Sequence, residues 1–266
     1  MDKNIQKENK MIIDSHVHLD TKRFNKDIDE VIQRAKDKGV NKFIIPAIES
    51  DNMDGIIKLC EKYDEIYFSS GNHPNRLDSF DMKNIEKYIS HEKCVAVGEC
   101  GLDWFRIPKG SNLNDIKKRQ IEVFEEQILL SSKYNKPLIL HSRDTDKEMM
   151  ETLMKHKNIL VGGVVHCYLG SENLLKLKDY NFYFGIGGIV TYKSATELRD
   201  NLIKVPLDRI IIETDAPYLT PGSNRKLRNE PSFTPIIVKE VSILLNMSVE
   251  MTEKVTYENT ERLFFN

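Results

Sequence analysis

Six residues in this sequence are of the types that bind first-row divalent cations, and each stands close to the end of a short apolar run. They are His16, His18, Glu99, His141, His166 and Asp215. His16 and His18 are separated by one residue, so in an extended chain both imidazoles point to the same face. One such pair is a weak signal, but four further candidates at equivalent positions predict a metal site.

The number of candidate ligands exceeds what a single tetrahedral site takes. It predicts two metal ions about 3.5–4 Å apart, bridged by a carboxylate. Glu99 is the expected bridge, because its strand lies between the two groups of ligands. Such a pair of ions can stabilise both the attacking and the leaving oxygen of an in-line displacement. This is chemistry for hydrolysis, above all of phosphate esters.

Taken singly, each of these residues has another interpretation. A histidine that closes a strand, such as His141 or His166, is more often a hydrogen-bonded core or loop residue than a ligand. Glu99 could cap the next element, and Asp215 could be a turn residue before Ala216-Pro217. The metal interpretation rests on the whole set occurring together.

The elements that must position these residues alternate between strand and helix along the whole chain. The predicted strands are residues 11–13, 43–45, 66–68, 95–99, 137–141, 160–166, 182–186 and 209–215. The predicted helices are residues 27–38, 53–63, 81–90, about 114–132, 144–156, 171–178, 196–203, about 235–246 and 248–259. Eight short apolar strands in this order predict a single-domain (β/α)₈ TIM barrel, whose strands end at one face. A doubly wound open sheet is the alternative, but no Gly-x-Gly-x-x-Gly turn follows the first strand.

Composition is typical of a globular protein, with 40% hydrophobic and 30% charged residues. The formal net charge of −2 argues against a surface that is basic all over, so contact with nucleic acid requires a local basic patch. No apolar run approaches the ~20 residues that span a bilayer, so no membrane partner is expected. Residues 1–10 are polar and predict a flexible N-terminal tail, and residues 11–266 form the hydrolase domain. We favour a monomer.

The four cysteines include no Cys-x-x-Cys pair, which indicates a reducing, cytoplasmic environment. Zinc favours thiolate ligands, and Cys100 and Cys167 stand next to Glu99 and His166. Strand alternation places each cysteine on the face opposite its neighbour, toward the helices. We therefore interpret both as packing residues.

Several ordered motifs resemble those of the TatD-type metal-dependent deoxyribonucleases, in the metallo-dependent hydrolase superfamily. They are Asp14-Ser15-His16-Val17-His18-Leu19-Asp20, Val97-Gly98-Glu99-Cys100-Gly101-Leu102-Asp103, Leu140-His141-Ser142-Arg143, Val165-His166-Cys167, Ile212-Glu213-Thr214-Asp215-Ala216-Pro217-Tyr218, Asn229-Glu230-Pro231 and Asn259-Thr260. The resemblance implies a (β/α)₈ barrel and a divalent-metal nuclease that removes nucleotides from DNA. Relatives often have His-Pro-His where this chain has His73-Pro74-Asn75, and an aliphatic residue is common where Cys100 stands.

The resemblance also implies a ligand assignment. One metal would be held by His16, His18, Glu99 and Asp215, and the other by Glu99, His141 and His166. The mixed nitrogen and oxygen donors accept Zn, Mn, Mg, Co or Fe, and the sequence leaves the choice open.

We expect a metal-activated water to attack the phosphodiester, with Asp215 taking its proton and Glu99 bridging the metals. His73 is expected to contact the scissile phosphate. Arg143 and the loop 222–230, with Arg225, Lys226 and Arg228, would supply positive charge for the DNA backbone, although solvated surface charge is an equally fair interpretation. Trp104 or Phe105 could stack on a base, but an aromatic residue at a loop start is more often a packing residue.

Two other functions remain open at this point. A metal-dependent amidohydrolase or ester hydrolase, acting for example on an aminoacyl ester, would use the same barrel. Many binuclear amidohydrolases have a carboxylated lysine as the bridge, and Glu99 at this position favours phosphodiesters. A non-catalytic barrel that binds protein is the third possibility, but such a scaffold is expected to lack one or more ligands, and all six are present.

Overall fold

The computed structural model describes residues 11–51 and 53–266, and the predicted tail 1–10 lies outside them. Within the described residues, eight parallel strands pair in the order β1 to β8 around a nearly closed barrel. The strands are β1 (Ile12–Asp14), β2 (Val40–Ile45), β3 (Ile66–Ser70), β4 (Cys94–Asp103), β5 (Leu138–Arg143), β6 (Gly163–Val165), β7 (Phe182–Ile186) and β8 (Ile210–Ile212). The predicted (β/α)₈ barrel is confirmed.

The strands are apolar because both of their faces are covered. In β5, Leu138 and Leu140 belong to the large cluster under the helices, whereas Ile139 belongs to a smaller cluster inside the barrel. That inner cluster draws on most of the strands and on the last helix, with Ile44, Val95, Ala96, Ile139, Val164, Tyr183, Ile211, Leu263 and Phe264. His141 is two residues beyond Ile139 and therefore also points inward, at the open end of the barrel.

The helices cover the outside of the barrel. They are α1 (Ile28–Asp37), α2 (Asp54–Lys62), α3 (Met82–Ile89), α4 (Leu113–Tyr134), α5 (Asp146–Lys155), α6 (Glu172–Leu175), α7 (Thr196–Asn201), α8 (Thr234–Leu244) and α9 (Val249–Phe264). The predicted helix 171–178 is instead the short α6 followed by a 3₁₀ segment, Lys176–Tyr180.

The barrel closes between β1 and β8 through residues at the ends of these strands and just beyond them. The backbone N–H of Ser15 donates to the Ile212 carbonyl over 3.1 Å, and Val17 forms a parallel bridge with Ala216. The N–H of Asp215 donates to the His16 carbonyl over 2.9 Å. This closure holds a predicted ligand of the first strand beside one of the last.

Six of the eight strands differ in length from the prediction, and the differences are largest in β4, β6 and β8. β6 is shorter because Gly162, at φ 110°, turns the chain before it; a Cβ atom there would lie 2.4 Å from the Asn181 carbonyl oxygen. β8 ends at Ile212, after which the Thr214 N–H donates to Asp14 Oδ1 instead of a neighbouring strand. β4 is longer than predicted and carries Asp103 to the open end of the barrel.

Among the residues described, no single helix has the length and apolar character needed to cross a membrane. The segments Pro231–Leu244 and Val249–Phe264 reach those limits only when taken together, and the chain bends by 109° between them.

Candidate metal centre

Glu99 lies at the middle of a cluster formed by the predicted ligands. Its Oε2 atom is 3.3 Å from His16 Nε2, whereas its Oε1 atom is 2.8 Å from His141 Nδ1. The same Oε1 atom is 4.0 Å from His166 Nε2. The two oxygens of this buried carboxylate therefore face imidazoles from different strands.

His18 and Asp215 complete the cluster on the side where the barrel closes. His18 Nε2 is 3.1 Å from Asp215 Oδ1, and the same oxygen is 3.8 Å from His16 Nε2. The Asp215 side chain is 14% exposed, against 3% for Glu99. Asp215 is thus the carboxylate of the cluster that solvent reaches.

His16 shows that the cluster fits a cation. The residue is 1% exposed, and its Nδ1 atom has no hydrogen-bond partner among the residues described. Its Nε2 atom faces Glu99 Oε2 over 3.3 Å, without the angle of a good hydrogen bond. Its ring stacks on His166 with 3.4 Å between centroids and an interplanar angle of 13°. A buried nitrogen without a good partner costs free energy, and a metal ion bound to the lone pair of Nε2 would remove that cost at this atom. The donor set of imidazole and carboxylate suits a divalent transition metal.

Carboxylates behind two of the histidines fix how their rings point. His141 Nε2 is 3.1 Å from Asp103 Oδ2, and His166 Nδ1 is 2.9 Å from Glu213 Oε1. The opposite nitrogen of each ring faces Glu99. Metal-binding histidines are commonly oriented in this way, with the second ring nitrogen donating to a carboxylate.

The electrostatics of the cluster favour positive charge at its centre. Burial opposes protonation of His166, but Glu213 and the other carboxylates outweigh it and raise the pKa to about 10. Burial likewise opposes protonation of His18, whose pKa is raised by Asp215. Burial alone would raise the pKa of Glu99, yet the surrounding imidazoles hold it well below the ordinary value. A divalent cation would supply the positive charge that these groups stabilise.

His73 lies beside the cluster, and its Nε2 atom is the ring nitrogen nearest to Glu99. Its Nδ1 atom accepts a hydrogen bond from the Asn75 backbone N–H over 3.0 Å, so the proton of the neutral ring is on Nε2. Nε2 lies 3.6 Å from Glu99 Oε1. Burial lowers the pKa of His73 to about 3, which keeps the ring neutral. The ring therefore has no lone pair directed at the cluster.

Asn75 stands where a second histidine is common in the resembling family. Its Nδ2 atom donates to Asp103 Oδ2 over 2.7 Å, and that oxygen also faces His141. Burial raises the pKa of Asp103, but His141 outweighs it and the pKa falls to about 2. In this chain the position serves to hold Asp103 in place.

Comparison with known protein families identifies the relationship. The model of the family described as TatD related DNase matches residues 13–265. The chain belongs to the TatD family. It is 37% identical to YabD of Bacillus subtilis, named an uncharacterised metal-dependent hydrolase, over 96% of this chain and 99% of that protein.

Two further relatives of this TatD-family chain extend the comparison. A protein of a Rahnella species, named 3′-5′ ssDNA/RNA exonuclease TatD, is 31% identical over 93% of this chain and 96% of its own. The crystal structure of YjjV, a TatD homologue from Escherichia coli, superposes with a TM-score of 0.87 at 31% identity, covering 95% of this chain and 97% of that one. The chain is therefore a metal-dependent hydrolase of this family.

The two aromatic side chains considered for stacking on a base in this TatD-family chain differ in how exposed their rings are. Phe105 is 60% exposed, and the Arg143 guanidinium lies 3.9 Å from its ring centroid. Trp104 is half-buried, and Lys117 Nζ covers it at 3.7 Å. Phe105 is thus the more accessible of the two aromatic rings considered for stacking.

The two arginines of the loop 222–230 differ in whether they form an ion pair. Arg228 donates to both carboxylate oxygens of Asp27, over 2.8 and 2.6 Å. Arg225 instead lies 3.8 Å from the ring centroid of Tyr192 and forms no ion pair among the residues described. Arg228 therefore braces the loop against Asp27, and its guanidinium is already paired, unlike that of Arg225.

The two cysteines beside the cluster behave differently. Cys100 is fully buried in the cluster under the helices, as its predicted orientation requires. Cys167 has φ 46°, so strand alternation does not apply to it, and its N–H donates to Glu213 Oε1 over 2.7 Å. Burial and the neighbouring carboxylates raise the pKa of its thiol well above the ordinary value.

The sequence motifs contain Asp103, Glu213 and Asn75 but assigned no role to any of them in the site. Glu213 lies two residues before Asp215 in the predicted strand 209–215, and this spacing was a usable signal, although β8 itself ends at Ile212. Gly185 makes room for Glu213, because a Cβ atom at Gly185 would lie 2.2 Å from Glu213 Oε2. No local pattern indicates the contact between Asn75 and Asp103.

Proposed function

We propose that this chain is a nuclease that hydrolyses phosphodiester bonds of single-stranded DNA from an end, using two divalent metal ions. The observation that carries the proposal is the position of Glu99, whose Oε2 faces His16 and whose Oε1 faces His141. A carboxylate placed in this way suits a bridge between two cations. The similarity to the Rahnella protein, named a 3′-5′ ssDNA/RNA exonuclease, supports the choice of substrate.

In the proposed arrangement each imidazole binds one of the two cations, and Glu99 is a ligand of both. His16, His18, Glu99 and Asp215 would hold one cation, and Glu99, His141 and His166 would hold the other. Divalent cations at such a site offset charge on the phosphate oxygens and make water a stronger nucleophile at neutral pH. Asp103 and Glu213 would keep the ring nitrogens of His141 and His166 directed toward Glu99.

The protein groups around the phosphate have distinct tasks in this proposal. Asp215 Oδ1, on the solvent-accessible side of the cluster, accepts the proton of the attacking water. His73 donates from Nε2 to a phosphate oxygen, since its Nδ1 atom is occupied by Asn75. The Arg143 guanidinium contacts the DNA backbone, because it forms no ion pair among the residues described.

A substrate panel with the purified full chain tests the proposal. The chain is treated with chelator, reloaded with Mn²⁺, Zn²⁺, Mg²⁺, Co²⁺ or Fe²⁺, and given 5′- and 3′-labelled single-stranded DNA, RNA, a p-nitrophenyl phosphodiester, a cyclic amide and an aminoacyl ester. We expect metal-dependent loss of nucleotides from one end of the DNA. Asp215→Asn should lower the rate by about 100-fold or more, whereas Asp208→Asn, an exposed change outside the cluster, should not. Turnover of the amide or aminoacyl ester without cleavage of DNA would replace the proposal with the alternative hydrolase.

Metal binding is checked separately by thermal unfolding. At a metal concentration about 100 times Kd, binding to the folded state adds about 2.7 kcal/mol, which raises Tm by roughly 5–10 °C for a chain of this size. Glu99→Gln should reduce this rise in Tm, since the amide is a weaker ligand than the carboxylate that both proposed metal sites share. The proposal of a Glu99-centred site is wrong if the variant keeps the full metal-induced rise in Tm.

A further inference from the structure

Two pairs of side chains, each an exposed aromatic ring with an arginine over it, stand at the open end of the barrel. Arg143 Cζ lies 3.9 Å from the ring centroid of Phe105, and Arg23 Cζ lies 5.2 Å from that of Tyr218. The rings are 60% and 46% exposed. We call these two pairs the rim pairs.

The rim pairs lie on opposite sides of the metal cluster. Phe105 follows β4 and Arg143 ends β5, whereas Arg23 follows β1 and Tyr218 follows β8. Because β1 and β8 meet where the barrel closes, β4 and β5 are across the mouth from them. The Tyr218 ring centroid is 5.8 Å from that of His18, so this pair directly adjoins the cluster.

The guanidinium groups of the rim pairs are available to a ligand. Neither Arg143 nor Arg23 forms an ion pair with a carboxylate in the part of the chain that the structure describes. Arg228 and Arg34 illustrate the opposite case, since both are bonded to acidic side chains. Tyr192, which lies under Arg225, is instead held by a hydrogen bond from its hydroxyl to the Thr220 carbonyl, over 2.8 Å.

We infer that the rim pairs are two nucleotide-binding positions that hold one unpaired strand across the mouth, on either side of the cluster. Each exposed ring offers a stacking surface for one base, and the guanidinium beside it binds the adjoining phosphate. A base inside a duplex is already stacked on both faces, so this arrangement selects single strands. The inference rests on the proposed nuclease function and adds the residues that recognise the strand.

The test measures binding rather than turnover. Metal-loaded full-length protein is titrated into a fluorescent single-stranded oligonucleotide with phosphorothioate linkages, which resist cleavage, and into the same strand with abasic positions. Stacking on an aromatic ring contributes roughly 1–3 kcal/mol per base, so wild type should bind the normal strand at least about 5-fold more tightly than the abasic strand. Phe105→Leu and Tyr218→Leu should each reduce this ratio, and Phe105→Tyr and Tyr218→Phe should preserve it.

The guanidinium contribution is tested through salt dependence. Arg143→Gln should reduce the slope of log Kd against log salt concentration by roughly the amount that one phosphate contact contributes. Arg209→Gln is the matched control, since Arg209 lies over the Tyr183 ring at 4.9 Å but precedes β8, at the other end of the barrel. Its slope should equal that of wild type.

The outcomes separate the inference from the proposed function. Equal binding of normal and abasic strands by wild type, or unchanged ratios in both leucine variants, overturns the rim pairs even if the enzyme cleaves DNA. A ratio that depends on Phe105 and Tyr218 supports the rim pairs even if labelled DNA is not cleaved, in which case the nuclease proposal fails. Because both rings lie on the surface of the protein, the variants should unfold close to the wild-type temperature, and this is checked first.

Discussion

Oε1 of Glu213 lies 2.9 Å from Nδ1 of His166 and also accepts the N–H of Cys167 over 2.7 Å. One carboxylate oxygen therefore fixes both the imidazole and the backbone that carries it. Glu213 is 1% exposed and lies two residues before Asp215 in the chain. The segment after β8 thus places one carboxylate in the cluster and another behind one of its histidines.

Glu213→Gln tests this relationship. The amide keeps the shape of the side chain but loses the charge that holds the proton on Nδ1 of His166. Loss of such a supporting carboxylate commonly costs about 10–100-fold in metal affinity or activity, and we expect a reduction of that size. Metal affinity is measured by competition with a chromogenic chelator. Glu258→Gln, in an exposed pair on α9, is the control; equal affinities for the two variants would remove Glu213 from the orienting role.

Gly185 carries the second prediction. A Cβ atom there would lie 2.2 Å from Glu213 Oε2, so Gly185→Ala must displace the carboxylate. We expect a loss of roughly 1–3 kcal/mol in the free energy of unfolding, the usual cost of overpacking, together with weaker metal binding. Gly187→Ala is the matched control, because its nearest contact with Glu213 would be 3.7 Å.

A double variant separates the clash from other effects of this alanine. In a Glu213→Ala background the obstructing carboxylate is absent, so the stability cost of Gly185→Ala should largely disappear. Urea unfolding of the four proteins of this cycle gives the coupling. Additive costs would show that Gly185 is needed for a reason unrelated to Glu213.

Asn75 carries the third prediction. Its amide and His141 share Asp103 Oδ2, at 2.7 and 3.1 Å. Asn75→Ala should let Asp103 rotate and lower kcat/KM on the best substrate from the panel, and the loss should be smaller in an Asp103→Asn background. Contacting residues usually show a coupling of about 0.5–3 kcal/mol in such a cycle. Independent effects of the two changes would contradict the shared orientation of His141.

The barrel and the convergence of the six residues follow from features that the sequence displays. Short apolar runs reveal parallel strands, and the barrel topology then brings strand ends such as His141 and His166 to one face. Glu213 lies inside the predicted strand 209–215, two residues before Asp215, and could have been recognised from that position. Asp103 was missed because β4 continues past the expected end at Glu99, through Gly101 at positive φ.

Other features depend on contacts between distant segments. The hydrogen bond of Asn75 to Asp103 joins residues 28 positions apart and has no local pattern. Likewise, Arg228 looks like any loop arginine until the fold places it against Asp27, which is 201 positions away in the sequence. Charge alone could not separate it from Arg143, whose guanidinium contacts an exposed ring instead.

The ion pair between Arg34 and Glu230 predicts how stability depends on pH. Arg34 donates from Nη2 to Glu230 Oε2 over 2.7 Å and so connects α1 to the segment before α8. Burial raises the pKa of Glu230, but Arg34 outweighs it, and the pKa lies below the ordinary value. A carboxylate with a depressed pKa in the folded state stabilises the protein above the pKa of the unfolded chain. That contribution is lost as the pH falls through the folded-state pKa.

Arg34→Gln should therefore be less stable than wild type at pH 7, and the difference should shrink toward pH 3. Since the Arg34 side chain is 44% exposed, solvent screening limits the effect at pH 7 to about 1 kcal/mol. The free energy of unfolding is measured by urea denaturation at both pH values. Arg119→Gln is the control, because Arg119 pairs with Glu122 on the exposed face of α4 and should change stability little at either pH. A deficit in Arg34→Gln that is as large at pH 3 as at pH 7 would point to lost packing of the arginine stem, not to the ion pair.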